Sequence, residues 1–208
     1  MTEDSKAYWA WLQLSLGEGS FKPKRILSYF PDIPSFYDAG PTQWRSLGLF
    51  TPKELKQLSQ NTLEDGKVLI ASNEEKGIQT ITPACKAYPQ RLYQIDNPPC
   101  MLYVKGTLPN LDEQPALAVV GTRNATTTGK QITYDLSMQL AQAGMVIISG
   151  GAKGIDTAAH QGALQGNGIS VCVLGGGIEY PYLMENESMR QSIAEHGAII
   201  SEFPVTKP

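Results

Sequence analysis

The stretch IISGGAKGIDTAAHQGAL, residues 147–164, decides the fold class of this chain. An apolar run stops at a Ser-Gly-Gly turn, one lysine follows, and a helical pattern opens with Gly-Ile-Asp. A buried strand that runs through a glycine-rich turn into a helix is the repeating unit of a parallel α/β sheet. The N–H groups at such a helix start carry partial positive charge and bind oxyanions. The turn therefore predicts either an anion site or simply a tight connection.

The same alternation of strand and helix continues on both sides of this stretch, from residue 115 to the end of the chain. Four continuous apolar runs read as buried strands: ALAVVG, MVIISG, ISVCVLGGG and AIISEFP. Amphipathic or helical patterns separate them, which indicates a parallel sheet with helices on both faces. We expect residues 111–208 to form a Rossmann-like α/β domain, with ligands bound beyond the carboxyl ends of the strands.

The residues before this domain follow two other patterns. Residues 1–62 read as a small helical domain, in which TPKELKQLSQ is a helix with Thr51 as N-cap and Glu54 at the capping-box position. Residues 63–110 read as a connector with short extended segments, VLIAS, GIQTITP and CMLYVKG, because several prolines exclude a long helix there.

Composition excludes several classes of protein. A formal charge of −3 over 208 residues gives no global basic field, so any site for a polyanion must be local. The three cysteines are far apart and have no metal-ligand spacing, which favours reduced thiols in a cytoplasmic protein. No apolar run approaches the roughly 20 residues that span a bilayer. We predict neither a metal nor a cofactor, and no membrane partner.

Three loops follow the predicted strands: GTRNATTTG, SGGAKGID and GGGIEYPYLMEN. Gly150, Gly151 and Gly154 let backbone N–H groups approach a ligand, and Arg123 and Lys153 each add a positive charge. The pattern predicts a phosphate site. Neither the Walker A sequence nor the dinucleotide fingerprint is present in these loops.

Four further side chains have two interpretations each. Asp156 and His160 lie four residues apart on one helical face, which suits a general-base pair. The favoured interpretation is that Asp156 caps backbone N–H groups and that His160 is a buried, hydrogen-bonded histidine. Tyr180 and Tyr182 either stack on nucleic-acid bases or pack their own loop.

The motifs VVGTRNATTTGK, ISGGAKGIDTAAHQGAL, VLGGGIEYPYLMEN and GAIISEFP, in that order, resemble the DNA processing protein A family, also called Smf. The resemblance runs from about residue 80 to the end of the chain, and more weakly includes a sterile-alpha-motif-like helical start. It implies a cytoplasmic, non-enzymatic bacterial protein. Such a protein binds single-stranded DNA, protects incoming strands during natural transformation and helps to load RecA for recombination.

The resemblance also assigns site residues. Arg123 corresponds to the arginine that lines the family's DNA phosphate pocket, and Lys153 to the basic residue of its second loop. The surrounding turns complete the predicted DNA phosphate site, which comprises Gly121, Thr122, Arg123, Ser149, Gly150, Gly151, Lys153 and Gly154. Asp156, His160 and Asn186 are predicted to support the loops. No catalytic residue is assigned.

Family members normally continue past the motif SEFP with an Arg-Asn-Arg motif, more strands and often a winged-helix domain. We therefore expect the Rossmann-like domain to be truncated after its fourth strand, and the surfaces for homodimerisation and RecA to lie largely beyond Pro208.

Two alternative functions stay open. One is a nucleotide hydrolase of the phosphoribohydrolase type, although Glu179 does not have the spacing of that family's catalytic glutamate. The other is an interaction module that binds no DNA.

Overall fold

The computed structural model describes residues 3–208 and divides into two compact units, the first ending at Leu102 and the second comprising Tyr103–Pro208. No helix within the described residues is long and apolar enough to cross a membrane.

The first unit is mainly helical. Its elements are α1 (Glu3–Leu16), α2 (Lys22–Ile26), α3 (Ile33–Ser46), α4 (Pro52–Gln60), α5 (Leu63–Glu75), β1 (Ile78–Ile81) and α6 (Gln90–Tyr93). The predicted start of α4 is confirmed, because Thr51 accepts from the Glu54 backbone N–H while the Glu54 carboxylate accepts from that of Thr51. The two reciprocal bonds satisfy donors that a helix start leaves unpaired.

Helix α5 corrects the sequence prediction, because VLIAS lies within it and is not extended. Thr62 and Asp65 form a second capping box at its start. Gly66 allows α5 to lie directly against α1, since a Cβ at this position would stand 2.5 Å from the Ala7 carbonyl oxygen. Close packing on α1 therefore outweighs the β-branched composition of the segment and the helix penalty of its glycine.

Aromatic side chains form the core of the first unit. The rings of Trp11, Phe36 and Trp44 lie 5.5–6.0 Å apart and are almost fully buried. The indole N–H of Trp44 donates to the Phe36 carbonyl oxygen at 2.6 Å, and that of Trp11 donates to the Asn61 carbonyl oxygen at 3.0 Å. These bonds let large amphipathic rings be buried without leaving a donor unpaired.

The second unit is the predicted α/β domain. Its elements are β2 (Leu102–Gly106, which begins at the last residue of the first unit), β3 (Ala116–Ala118), α7 (Thr127–Gln142), β4 (Val146–Gly150), α8 (Ile155–Gln165), β5 (Ser170–Leu174), a 3-10 turn (Met184–Asn186), α9 (Glu187–His196) and β6 (Ala198–Ser201). The strand order is β2-β6-β5-β4-β3. Strands β3 to β6 are parallel as predicted, and β2 pairs antiparallel with β6.

The three long helices of this unit pack on the sheet face that carries Ile147, Cys172 and Ile199. Because β3 to β6 follow one another across the sheet, right-handed crossovers bring every connecting helix to the same side. The opposite face carries Val146 and Val171, which pack with Leu111 from the segment after β2. Within this unit the predicted helices therefore cover one face of the sheet, and a loop segment covers the other.

Candidate functional site

The first two predicted loops pack directly on each other. Gly154 precedes α8 with φ +86°, and a Cβ there would lie 2.3 Å from the Thr122 carbonyl oxygen. A Cβ on Gly121 would stand 2.5 Å from the Ile155 side chain, whose own backbone N–H donates to the Thr122 carbonyl at 3.3 Å. Both glycines therefore permit a close approach that other residues would block. This approach brings the loop of Arg123 to the start of α8.

A cavity of about 420 Å³ opens at the carboxyl ends of β4 and β5, the edge of the sheet that the sequence indicates. Four predicted site residues, Arg123, Gly150, Gly151 and Asp156, line it together. The remaining lining residues are Ala152, Val173, Leu174, Gly175, Gly176, Gly177, Tyr180, Tyr182 and Pro208.

The floor of this cavity is the turn between β4 and α8, and a buried carboxylate holds it. The Asp156 carboxylate accepts the Ala152 N–H at 3.3 Å. A Cβ on Gly150 would stand only 2.5 Å from Oδ2 of Asp156. A Cβ on Gly151 would stand 2.6 Å from the Leu174 side chain. The turn is thus closed on both sides by contacts that glycine alone permits.

His160 lies behind the turn and is fully buried. Burial lowers the pKa of His160 below its usual value, while the Gly150 carbonyl and the Asp156 charge oppose that shift. In the neutral ring, Nε2–H donates to the Gly150 carbonyl oxygen at 2.9 Å and Nδ1 accepts from the Ser170 hydroxyl at 2.8 Å. Both ring nitrogens are occupied, so His160 is not placed to take a proton from a ligand in the cavity.

The two positively charged side chains of the predicted site, Arg123 and Lys153, differ in their contacts. The Arg123 side chain is exposed, lines the cavity and has no ion-pair or hydrogen-bond partner among residues 3–208. Lys153 is also exposed, but it is not among the described residues that line the cavity. Its ammonium lies 2.5 Å from Oε1 of Glu185. This ion pair holds the pKa of Glu185 below its usual value.

Two hydroxyl residues of the predicted site have partners within the protein. Ser149 is buried, and its Oγ donates to the Val119 carbonyl oxygen at 2.6 Å, which ties β4 to the chain just after β3. The Thr122 hydroxyl accepts the Asn124 N–H at 3.1 Å. Both hydroxyls therefore form hydrogen bonds to the backbone that help to fix the loops.

The loop between β5 and α9 contributes most of the lining residues that sequence reasoning did not assign to the site. Its glycine run and its place after a parallel strand are the signals that could have identified them. Gly177 N–H donates to the Lys207 carbonyl at 2.7 Å and Glu179 N–H to the Val205 carbonyl at 2.8 Å. Asn186, at the other end, donates to the Thr157 hydroxyl at 3.1 Å. The loop is therefore fixed at both ends.

The chain matches the family model described as DNA recombination-mediator protein A over residues 79–208. It is 34% identical to Protein Smf of Synechocystis sp. over an alignment of 215 positions that covers 100% of this chain and 54% of the relative. It is 37% identical to DNA processing protein DprA of Bacillus subtilis over 141 residues, 67% of this chain and 48% of the relative. The chain thus spans about half the length of these curated relatives.

Solved structures show the same fold. DNA processing protein A from Streptococcus pneumoniae superposes with a TM-score of 0.78 over 100% of this chain and 70% of its own, at 24% identity. A structure of DNA processing protein A from Helicobacter pylori, described for its single-stranded DNA binding mode, gives a TM-score of 0.54 at 32% identity, covering 63% and 58% of the two chains. Since the family model covers more than half of the sequence, the chain belongs to the DNA recombination-mediator protein A family.

Proposed function

We propose that the chain binds single-stranded DNA, with backbone phosphates at Arg123 and at the turn between β4 and α8. The observation that carries this proposal is the exposed guanidinium of Arg123, without a partner among the described residues, beside a glycine-lined cavity. Guanidinium groups and backbone N–H groups at a helix start are the phosphate ligands that proteins use most readily. The Helicobacter pylori relative, described as binding single-stranded DNA, supports the same ligand class.

The shape of the cavity favours a single strand over a duplex. Its volume of about 420 Å³ lies in the range of small-ligand pockets, roughly 300–1,000 Å³, and suits one nucleotide. Leu174, Tyr180 and Tyr182 give it an apolar and aromatic wall on which a base can lie. Bases stacked within a duplex cannot reach such a wall, whereas those of a single strand can. Phosphate contacts dominate the site, so little sequence preference is expected.

Within this proposal the protein is a recombination mediator and not an enzyme. It covers incoming strands during natural transformation and helps RecA to load on them, as a cytoplasmic protein able to form homodimers. Two observations support a binding role: His160 has both nitrogens occupied, and the Asp156 carboxylate accepts from the turn that it caps. Neither group is placed to act as a general base.

Fluorescence anisotropy of a labelled oligo-dT, at low and at physiological salt, tests the DNA site. We expect Arg123→Ala to weaken binding about 10- to 150-fold, since a charged hydrogen bond contributes about 1.5–3 kcal/mol. The slope of log K against log salt should become shallower by about 0.7 for each lost phosphate contact. The matched control is Arg45→Ala, which removes an equally exposed arginine from α3 of the first unit. Equal binding by Arg123→Ala and Arg45→Ala would contradict the site.

RecA loading has a separate test. The test compares, with and without the chain, the lag of RecA filament assembly on an oligo-dT strand that is already covered by a single-strand binding protein. A shorter lag would support a RecA-binding surface within residues 1–208. An unchanged lag, with DNA binding intact, would show that these residues alone do not load RecA and would leave the DNA site standing.

A further inference from the structure

Lys153, the second predicted phosphate ligand, already holds an anion of the protein itself. Its ammonium lies 2.5 Å from the carboxylate of Glu185, and both side chains are more than half exposed. A carboxylate and a phosphate oxygen use the same donors of a lysine ammonium. Glu185 therefore competes with a DNA phosphate for the donors of Lys153.

The chain that carries Glu185 is held on either side of it. Leu183 has a left-handed backbone, with φ 45° and ψ 70°, a conformation that leucine rarely adopts. Arg190, which is buried, donates to the Leu183 carbonyl oxygen at 3.4 Å, and Asn186 donates to the Thr157 hydroxyl on α8. These contacts keep Glu185 in the 3-10 turn near the start of α8 and leave its exposed carboxylate at Lys153.

We propose that Glu185 is a built-in competitor for phosphate at Lys153 and so limits the affinity of the site for a single strand. The inference rests on the proposed DNA-binding function and adds a residue that determines its strength. A phosphate reaches the ammonium of Lys153 by displacing Glu185, whose charge then repels the strand. Arg123 has no such competitor among the described residues, so it binds phosphate at full strength while Lys153 contributes less than its charge suggests.

The expected effect has a definite sign. Glu185→Gln removes both the competing charge and its repulsion of the strand, and it should tighten oligo-dT binding about two- to fivefold, the upper range of an exposed ion pair. The salt dependence should become steeper by up to about 0.7 in slope, because Lys153 then makes a full phosphate contact.

A double-mutant cycle with Lys153→Ala tests the mechanism. With the lysine absent, Glu185→Gln should keep only the part of its effect that comes from removing the carboxylate's repulsion of the strand, since no cation is left to release. The matched control is Glu195→Gln, which removes the same charge from an exposed glutamate of α9 that is not the partner of Lys153. We expect this control to change binding less than twofold.

The outcomes separate the inference from the function on which it rests. Equal affinities for Glu185→Gln and Glu195→Gln, with Arg123→Ala still weakened, would show that Glu185 does not compete for phosphate and would leave the DNA site intact. An Arg123→Ala variant that binds as well as wild type would overturn the proposed function itself. Far-ultraviolet circular dichroism of each variant checks that the exposed substitutions leave the fold unchanged.

Discussion

The floor and the rim of the cavity differ in how far their residues are buried. The floor is made of buried or half-buried residues: Gly150, Gly151, Gly154, Asp156 and His160. The rim is made of exposed side chains, of which Arg123, Tyr180 and Tyr182 line the cavity, while Lys153 and Glu185 form an ion pair outside its lining. A change in the floor must therefore alter the free energy of unfolding, whereas a change in the rim should alter ligand affinity and leave stability nearly constant. Each of the following predictions tests this division.

The largest effect on stability is expected for Gly154→Ala. Its Cβ would stand 2.3 Å from the Thr122 carbonyl oxygen, on a backbone with φ +86°. Steric strain of this kind should lower the free energy of unfolding by about 3 kcal/mol. Urea unfolding followed by circular dichroism measures it. Gly175→Ala is the control, because a Cβ there meets nothing within 4 Å. Equal stability of the two variants would show that the loops do not depend on this approach.

The next effect is a pH dependence that arises from His160. Its folded-state pKa lies below 6.5, so as pH falls through 6.5 the unfolded chain takes up a proton before the folded one does. Stability is therefore complete above this pH and decreases below it, by up to about 1.4 kcal/mol per pH unit. We expect His160→Gln to unfold with a flatter profile between pH 7.5 and 5. Parallel profiles for wild type and His160→Gln would contradict the assignment.

Ser149→Ala should cost about 1–2 kcal/mol, because it leaves the Val119 carbonyl oxygen without its donor. Its affinity for oligo-dT should stay at the wild-type value, since the hydroxyl is directed into the protein. Ser192→Ala, on the exposed side of α9, is the reference for a serine whose loss has little effect on stability. Weakened DNA binding at unchanged stability would instead place Ser149 among the phosphate ligands.

The smallest effect on stability is expected in the rim. Replacing Tyr180 and Tyr182 together by alanine should change the free energy of unfolding by less than about 0.5 kcal/mol, because both rings are exposed. Binding of oligo-dT should weaken by about 1–3 kcal/mol for each base that stacks on a ring. The opposite result, lost stability with unchanged affinity, would mean that the two tyrosines pack the loop.

The floor could be predicted from the sequence further than the rim. Glycine spacing after an apolar strand is a local signal, and the carboxyl-end rule for parallel sheets places Gly150, Gly151 and Arg123 at one edge without a structure. Residue spacing also indicates the pairing of Asp156 with its own turn, since a helix start offers free N–H groups to a carboxylate.

The remainder depends on contacts between distant parts of the chain. Nothing in the local sequence joins Lys153 to Glu185, which lie 32 residues apart in the chain. Sequence reasoning also misread α5, since VLIAS has the composition of a strand and is helical because Gly66 fits against α1. The sequence places Ser149 in the turn around the predicted site, but the bond from its hydroxyl to the Val119 carbonyl oxygen joins residues 30 apart and has no local signal.

The hydrogen bonds from Gly177 and Glu179 to the carbonyls of Lys207 and Val205 have a consequence for how such sites diverge. The loop after β5 is positioned by main-chain atoms of the segment after β6, so its support does not depend on which side chains that segment carries. Insertions or prolines there would shift the aromatic wall of the cavity while the sheet and its glycine floor stayed unchanged. Ligand preference can thus evolve through the length and backbone path of a distant segment, with every phosphate ligand conserved.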